Sequence, residues 1–246
     1  MINKYISDEQ YKQFERIDKK KIELKDLINN SSNKKTTIVE LCGLPRTGKT
    51  SSIRRMYNFF KAGDLQVLCT KEPADIVKEE YDTKKISSKQ FNDLTLDISI
   101  KQLQNLLNSK PDIILQDRGV FDNYIWYQMM YEKGIISKEE YERIFSQIQK
   151  AIDLSDVIYI MIASPEEIIK RDYLDNIYLE SRTKTTIENI NNLNKSIISL
   201  VKKIDNKKIK VLDTTKIKEL DVAVILSSDI MDTIKSKYIN INNKIK

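Results

Sequence analysis

A short segment near residue 45 combines glycines, a lysine and a threonine at the spacing of an anion-binding loop. Residues 43–50 read GLPRTGKT, which matches the phosphate-loop pattern G-x-x-x-x-G-K-[ST]. The glycines allow a tight turn in which successive N–H groups can point at phosphate oxygens. We expect Lys49 to reach the β- and γ-phosphates of ATP, and the Thr50 hydroxyl to ligate Mg²⁺. The residues predicted to surround the phosphates are Gly43, Leu44, Pro45, Arg46, Thr47, Gly48, Lys49, Thr50 and Ser51.

Phosphoryl transfer also needs a carboxylate for the metal and positive charge near the transferred group. Asp117 ends the apolar run PDIILQD, so we expect it to lie beside the loop and to join Thr50 in the Mg²⁺ shell. Arg118 carries a fork of donors suited to a phosphate or to the edge of a base. A helix cap or surface charge for Asp117, and a structural ion pair for Arg118, remain alternative interpretations.

Arg46 and Glu72 are two further candidates for chemistry. Arg46 projects from the loop and is expected to stabilise charge on the transferred phosphoryl group, unless it forms only a salt bridge. Glu72 follows the second apolar run and could accept the proton of an acceptor hydroxyl as a general base. Its alternative roles are a cap on the following helix and a pair with Lys71.

The elements that would position these residues alternate between strand and helix. Five apolar runs predict buried strands, and the loop leads from the first of them into the helical pattern SSIRRMYNFFK. Helices are also predicted over 90–107, in two parts over 120–153, after Ser164-Pro165, over 186–204 and over 216–237, whereas 74–90 is predicted to be irregular. The alternation predicts a three-layer α/β domain with a five-stranded parallel sheet flanked by helices. The strand runs are TTIVELC, LQVLCT, PDIILQD, DVIYIMI and IKVLDT.

Composition limits the classes of protein to consider. The 246 residues suit one domain, with residues 1–33 as an N-terminal helical extension and residues 34–246 as the catalytic domain. The chain has no histidine, which excludes Ser-His triads and His-ligated metals. The net charge of +6 comes from lysines spread along the chain without interleaved aromatics, so no nucleic acid is expected as a partner. No apolar run suits a membrane span, and a cytoplasmic location is expected.

The order of these parts resembles the P-loop kinases that include thymidylate kinases and deoxynucleoside kinases. Over residues 36 to about 237, Lys71-Glu72-Pro73 resembles their Glu-Pro segment, and Asp117-Arg118 their Asp-Arg or Glu-Arg pair. Arg46 stands where some thymidylate kinases carry a loop arginine. Gly119 departs from the families, which place a bulkier or hydroxylated residue there. The resemblance implies the P-loop NTPase fold and a lid near residues 165–190. Arg171 and Arg182 would then contact phosphate.

These observations lead to a Mg²⁺/ATP-dependent kinase as the main hypothesis. Its small-molecule acceptor would be a nucleoside monophosphate, as for thymidylate kinases, or a nucleoside, and Arg46 slightly favours the monophosphate. Two alternatives stay open: a nucleotide-binding regulatory ATPase or switch without such an acceptor, and a kinase of a non-nucleotide acceptor. A homodimer is compatible with each hypothesis.

Overall fold

A computed structural model of the chain describes residues 7–175, 186–204 and 206–242. Five strands form one sheet in the order β2-β3-β1-β4-β5, and every pair of neighbouring strands is parallel. The predicted α/β class with a five-stranded parallel sheet flanked by helices is confirmed. The strands are β1 Thr37–Gly43, β2 Val67–Cys69, β3 Ile113–Asp117, β4 Val157–Ile162 and β5 Ile209–Asp213.

The helices connect the strands and lie close to their predicted positions. The prediction of irregular structure over 74–90 is wrong in part, because α3 occupies the first half of that segment. Pro73 starts α3 at a position where its missing N–H is not needed, and Val77 is its only other buried residue, so the apolar pattern is short. The helices are α1 Asp8–Asn29, α2 Lys49–Lys61, α3 Pro73–Glu80, α4 Ser88–Asn108, α5 Val120–Glu132, α6 Lys138–Leu154, α7 Pro165–Asp175, α8 Ile187–Ile204 and α9 Glu219–Asn242.

The core lies on the two faces of the sheet. Because side chains alternate along a strand, Val39 and Leu41 of β1 join α2 and α9 on one face, whereas Cys42 joins α5, α6 and α8 on the other. Every residue of β1 is buried, as expected for a central strand of a parallel sheet. Burying a side chain as completely as Phe60 of α2 stabilises the fold by about 1.5–3 kcal/mol.

The predicted N-terminal extension contains α1, which packs on the same core. Its buried side chains are Ile17, Leu24 and Ile28, four to seven residues apart and therefore on one side of the helix. They contact the cluster that also holds α2 and α9. None of the described helices is apolar over a length that could cross a lipid bilayer.

The sheet brings Gly43 and Asp117, two of the predicted site residues, to one edge. The strands are parallel, so their carboxyl ends share an edge, and β1 lies between β3 and β4 at the centre. Leu41 of β1 is level with Asp117 of β3, and Gly43 is level with Met161 of β4. In open α/β sheets ligands bind outside this edge, where chain connections diverge to opposite sides.

Candidate functional site

The glycine loop, which we define as residues 43–50, follows β1 and ends in the first turn of α2. Gly43 and Gly48 have φ angles of 105° and 90°, in the left-handed region that favours glycine. A Cβ atom on Gly43 would lie 2.5 Å from the carbonyl oxygen of Met161, so no larger residue fits against β4. The first N–H groups of α2 have no carbonyl partner within the helix and are available to an anion.

Lys49 lies at the start of α2 with its side chain folded under the loop. Its Nζ donates to the carbonyl oxygens of Gly43 and Leu44, and the residue is only 5% exposed. Burial, and then the nearby Arg118 guanidinium, lower the pKa of Lys49 to about 7. A phosphate bound in the loop would add negative charge beside this amine and so favour its protonated form.

Thr50 and Asp117 meet as the sequence predicts for a metal site. The Thr50 hydroxyl donates to Oδ2 of Asp117 at 2.6 Å. The second carboxylate oxygen of Asp117, Oδ1, is buried and has no hydrogen-bond partner among the described residues. Burial raises the pKa of Asp117, against the opposing effect of the bond from Thr50. A hydroxyl and a carboxylate with an unused oxygen are ligands that suit Mg²⁺, so these two residues fit the predicted ion.

Arg118, which follows β3, and Glu72, which follows β2, form another wall of the site. The Arg118 Nε lies 2.9 Å from a Glu72 carboxylate oxygen, in an ion pair whose N–H is not aligned for a hydrogen bond. The Arg118 Nη1 donates to the Gly43 carbonyl and to the carboxylate of Asp122, each at 3.0 Å. Burial alone would lower the pKa of Arg118, but Asp122 and Glu72 raise it above its ordinary value. The structural ion pair considered for Arg118 is therefore present.

Glu72 does not take either structural role considered from the sequence. It stands at the N-cap position of α3 but its side chain makes no capping hydrogen bond. Lys71 instead pairs with Glu79 of α3. Burial raises the pKa of Glu72, and the charge of Arg118 partly offsets that rise.

Two charged residues of α7, Arg171 and Asp172, form hydrogen bonds to the glycine loop. Asp172 accepts a hydrogen bond from the Arg46 Nε at 2.7 Å. The Arg171 guanidinium donates to the main-chain oxygens of Arg46 and Thr214 at 3.2 and 2.7 Å, and to Glu167 at 3.0 Å. Arg171 thus lies beside the loop but bonds to protein. Arg182, together with most of the segment between α7 and α8, lies outside the described residues.

Two cavities open along this edge of the sheet. The first, of about 870 Å³, lies over the glycine loop and the start of α2, and reaches Ile217 and Val222 near α9. The second, of about 730 Å³, lies between α3, α4 and α5. Glu72, Lys78 and Arg118 line both cavities and form the wall where they meet.

The second cavity is lined by aromatic and polar side chains. Among them are Phe91 of α4, Trp126 of α5, Asn92, Thr95 and Asn123. The Thr95 hydroxyl donates to the side-chain oxygen of Asn123, whose amide nitrogen donates to Ser99. These hydrogen bonds hold two of the lining side chains in place before any ligand binds.

Two buried acids of the site were not singled out from the sequence. Asp122 accepts hydrogen bonds from the Gly43 N–H, Arg118 and the Trp126 indole N–H at 3.0–3.1 Å. Glu40, in the middle of β1, accepts from the N–H groups at the start of α5. Asp122 follows Arg118 by four residues, a spacing that signals a helical ion pair. Glu40 gives no such signal, because one charge in an apolar strand looks like a solvent-facing position.

No protein-family model matches this chain, and no curated protein has a matching sequence.

Proposed function

We propose that the protein is a P-loop kinase that transfers a phosphoryl group from Mg²⁺-bound ATP to a small acceptor. One observation carries this proposal: a cavity over the glycine loop and a second cavity meet at a shared wall of Glu72, Lys78 and Arg118. A kinase needs this arrangement, because donor and acceptor must meet with the transferred group between them. A regulatory ATPase would need only the first cavity.

The donor would occupy the glycine loop. Its phosphates would be held by the N–H groups of the loop and by Lys49, and Mg²⁺ by Thr50 and Asp117. The ion would neutralise charge that develops on the phosphoryl oxygens. Arg46 lies in the same loop and could add positive charge after exchanging its contact with Asp172 for one with phosphate.

The second cavity suits an uncharged acceptor better than a monophosphate. The two cations of the shared wall are already paired, Lys78 with Asp75 at 2.7 Å and Arg118 with both Glu72 and Asp122. A phosphate dianion entering here would meet two carboxylates and would have to compete for those cations. A neutral hydroxyl would instead meet Glu72, whose raised pKa suits a proton acceptor.

We therefore propose a nucleoside as acceptor, in place of the monophosphate that the sequence slightly favours. The Phe91 and Trp126 side chains of the second cavity offer aromatic surfaces to a planar base. The Asn92 amide nitrogen already donates to the Ser88 carbonyl and to the Met130 sulfur, so its side-chain oxygen is the atom that can accept from a base edge.

The test is acceptor-dependent release of ADP from Mg·ATP, measured with a panel of nucleosides and nucleoside monophosphates. We expect stimulation by at least one nucleoside. Glu72→Gln keeps the size of the side chain but removes its basicity, and should lower kcat about a hundredfold or more. The matched control is Glu79→Gln on the same helix, where the carboxylate is exposed and pairs with Lys71; it should leave kcat unchanged.

The outcomes separate the remaining hypotheses. ADP release that only monophosphates stimulate would contradict a nucleoside acceptor but would still support a kinase. Slow ATP hydrolysis that no compound in the panel stimulates would favour the regulatory ATPase or a non-nucleotide acceptor. Equal kcat for Glu72→Gln and Glu79→Gln with an active nucleoside would remove Glu72 from catalysis.

A further inference from the structure

Glu40 is a buried acid on the central strand with a defined set of partners. It is 1% exposed. Its carboxyl oxygens accept hydrogen bonds from the main-chain N–H groups of Phe121 and Asp122, at 3.2 and 2.9 Å. These two residues belong to the first turn of α5, whose N-cap residue Gly119 has no side chain to offer. A residue from another element therefore supplies the cap that α5 lacks locally.

Gly119 makes room for this carboxyl group. A Cβ atom at Gly119 would lie 2.7 Å from the Glu40 carboxyl carbon and 2.5 Å from the side-chain nitrogen of Gln116. The φ angle of Gly119 is −80°, which any residue can adopt. The glycine is thus needed for space, which the Glu40 carboxyl group and the Gln116 side chain occupy.

The first turn of α5, which Glu40 caps, contains Asp122, and Asp122 orients Arg118 in the shared wall. The Asp122 main-chain N–H donates to Glu40, and the Asp122 carboxylate accepts hydrogen bonds from the Gly43 N–H and the Arg118 guanidinium. Arg118 in turn pairs with Glu72. One continuous set of contacts therefore runs from the strand interior to the point where the two cavities meet.

We propose that Glu40 is a positioning residue that sets the location of Arg118 by capping α5, and that Gly119 is the space this cap requires. Glu40 touches neither cavity and acts through Asp122. The catalytic consequence rests on the proposed function, whereas the positioning itself does not.

Trp126 allows the positioning to be measured without an activity assay. It is the single tryptophan of the chain, and its indole N–H donates to Asp122 at 3.1 Å. Its fluorescence therefore reports the geometry around Asp122. Glu40→Ala removes the cap. Gly119→Ala displaces the carboxyl group and serves as the second test if Glu40→Ala does not fold.

We expect both variants to show a red-shifted Trp126 emission and greater quenching by acrylamide than wild type. Glu40→Gln should restore the wild-type spectrum, because its amide oxygen still accepts one N–H and its size is the same. The control is Ile38→Ala on the same strand, which opens a cavity in a different cluster, with Leu103 and Ile114. It should lower the melting temperature without changing the spectrum.

Activity supplies a second readout where a nucleoside acceptor is found. Misplacing Arg118 by about 1 Å should lower kcat about a hundredfold in Glu40→Ala, with recovery in Glu40→Gln. An unchanged Trp126 spectrum in the folded Glu40→Ala or Gly119→Ala variant would overturn the proposal, as would an equal change in Ile38→Ala. Absence of kinase activity in the wild type would sink the proposed function and leave the fluorescence test intact.

Discussion

Glu40, the buried acid of the central strand, should make this protein less stable as the pH rises from 4.5 to about 8. Burial raises the pKa of Glu40 to about 8 from its ordinary 4.5, and the nearby Asp122 carboxylate adds to the rise, although three main-chain N–H groups oppose it. The folded protein therefore holds the Glu40 proton at neutral pH, whereas the unfolded chain releases it. Unfolding then becomes easier as pH increases from 4.5 to 8.

The size of the effect follows from the two pKa values. A rise from 4.5 to about 8 corresponds to about 5 kcal/mol at roughly 1.4 kcal/mol for each factor of ten in proton binding. The contribution is fully present below pH 4.5 and is largely lost by pH 8, with a loss on the order of 3–4 kcal/mol between pH 5 and pH 8. A loss of that size is a large fraction of the 5–15 kcal/mol that typically stabilises a domain.

Glu40→Gln isolates this contribution, because the amide fills the same space and does not titrate. The assay is urea unfolding of both proteins at pH 5, 6, 7 and 8, followed by circular dichroism. The stability of wild type relative to the variant should fall by roughly 3–4 kcal/mol across this range, since groups common to both proteins cancel. A constant difference between the two proteins would show that Glu40 is ionised in the folded state and would refute the reasoning.

Two further predictions concern the glycine loop. Lys49→Ala should lower Mg·ATP turnover about a thousandfold while the circular dichroism spectrum is kept, because the phosphates lose their cation; near-normal turnover would remove the loop from catalysis. Arg46→Ala should lower kcat about a thousandfold with little change in the Kd of ATP, if it stabilises the transferred group. Asp172→Asn breaks the same ion pair but keeps the arginine, so equal kcat values in the two variants would leave Arg46 a structural role only.

The parts of the site that follow from local sequence could be predicted. The glycine loop is a contiguous motif between a strand and a helix, and two of its three positive φ angles fall on its own glycines, the third being 58° at Arg46. The Thr50–Asp117 contact was also predictable, because Asp117 ends an apolar run and the carboxyl ends of parallel strands share an edge. In both cases the chain itself supplies the geometry.

The partners of Arg118 depend on long-range placement and could not be read from spacing. Arg118 has a φ angle of 55°, so the chain reverses there and directs the side chain back over Gly43 and towards Glu72. The left-handed residue is the arginine itself and not the adjacent Gly119, whose φ angle is −80°, so the sequence does not mark the position of that turn. Glu40 was missed for a related reason: its hydrogen-bond donors lie 81 and 82 residues later in the chain.

The contacts between α7 and the glycine loop couple the conformation of the loop to the docking of α7. Arg171 binds the main chain of the loop at Arg46 and that of Thr214 after β5, and Asp172 binds the Arg46 side chain. The loop is therefore held in shape before any anion arrives, which reduces the ordering entropy that binding would otherwise cost. By reciprocity, a nucleotide that prefers this loop shape tightens the docking of α7 by the same free energy that α7 contributes to nucleotide binding.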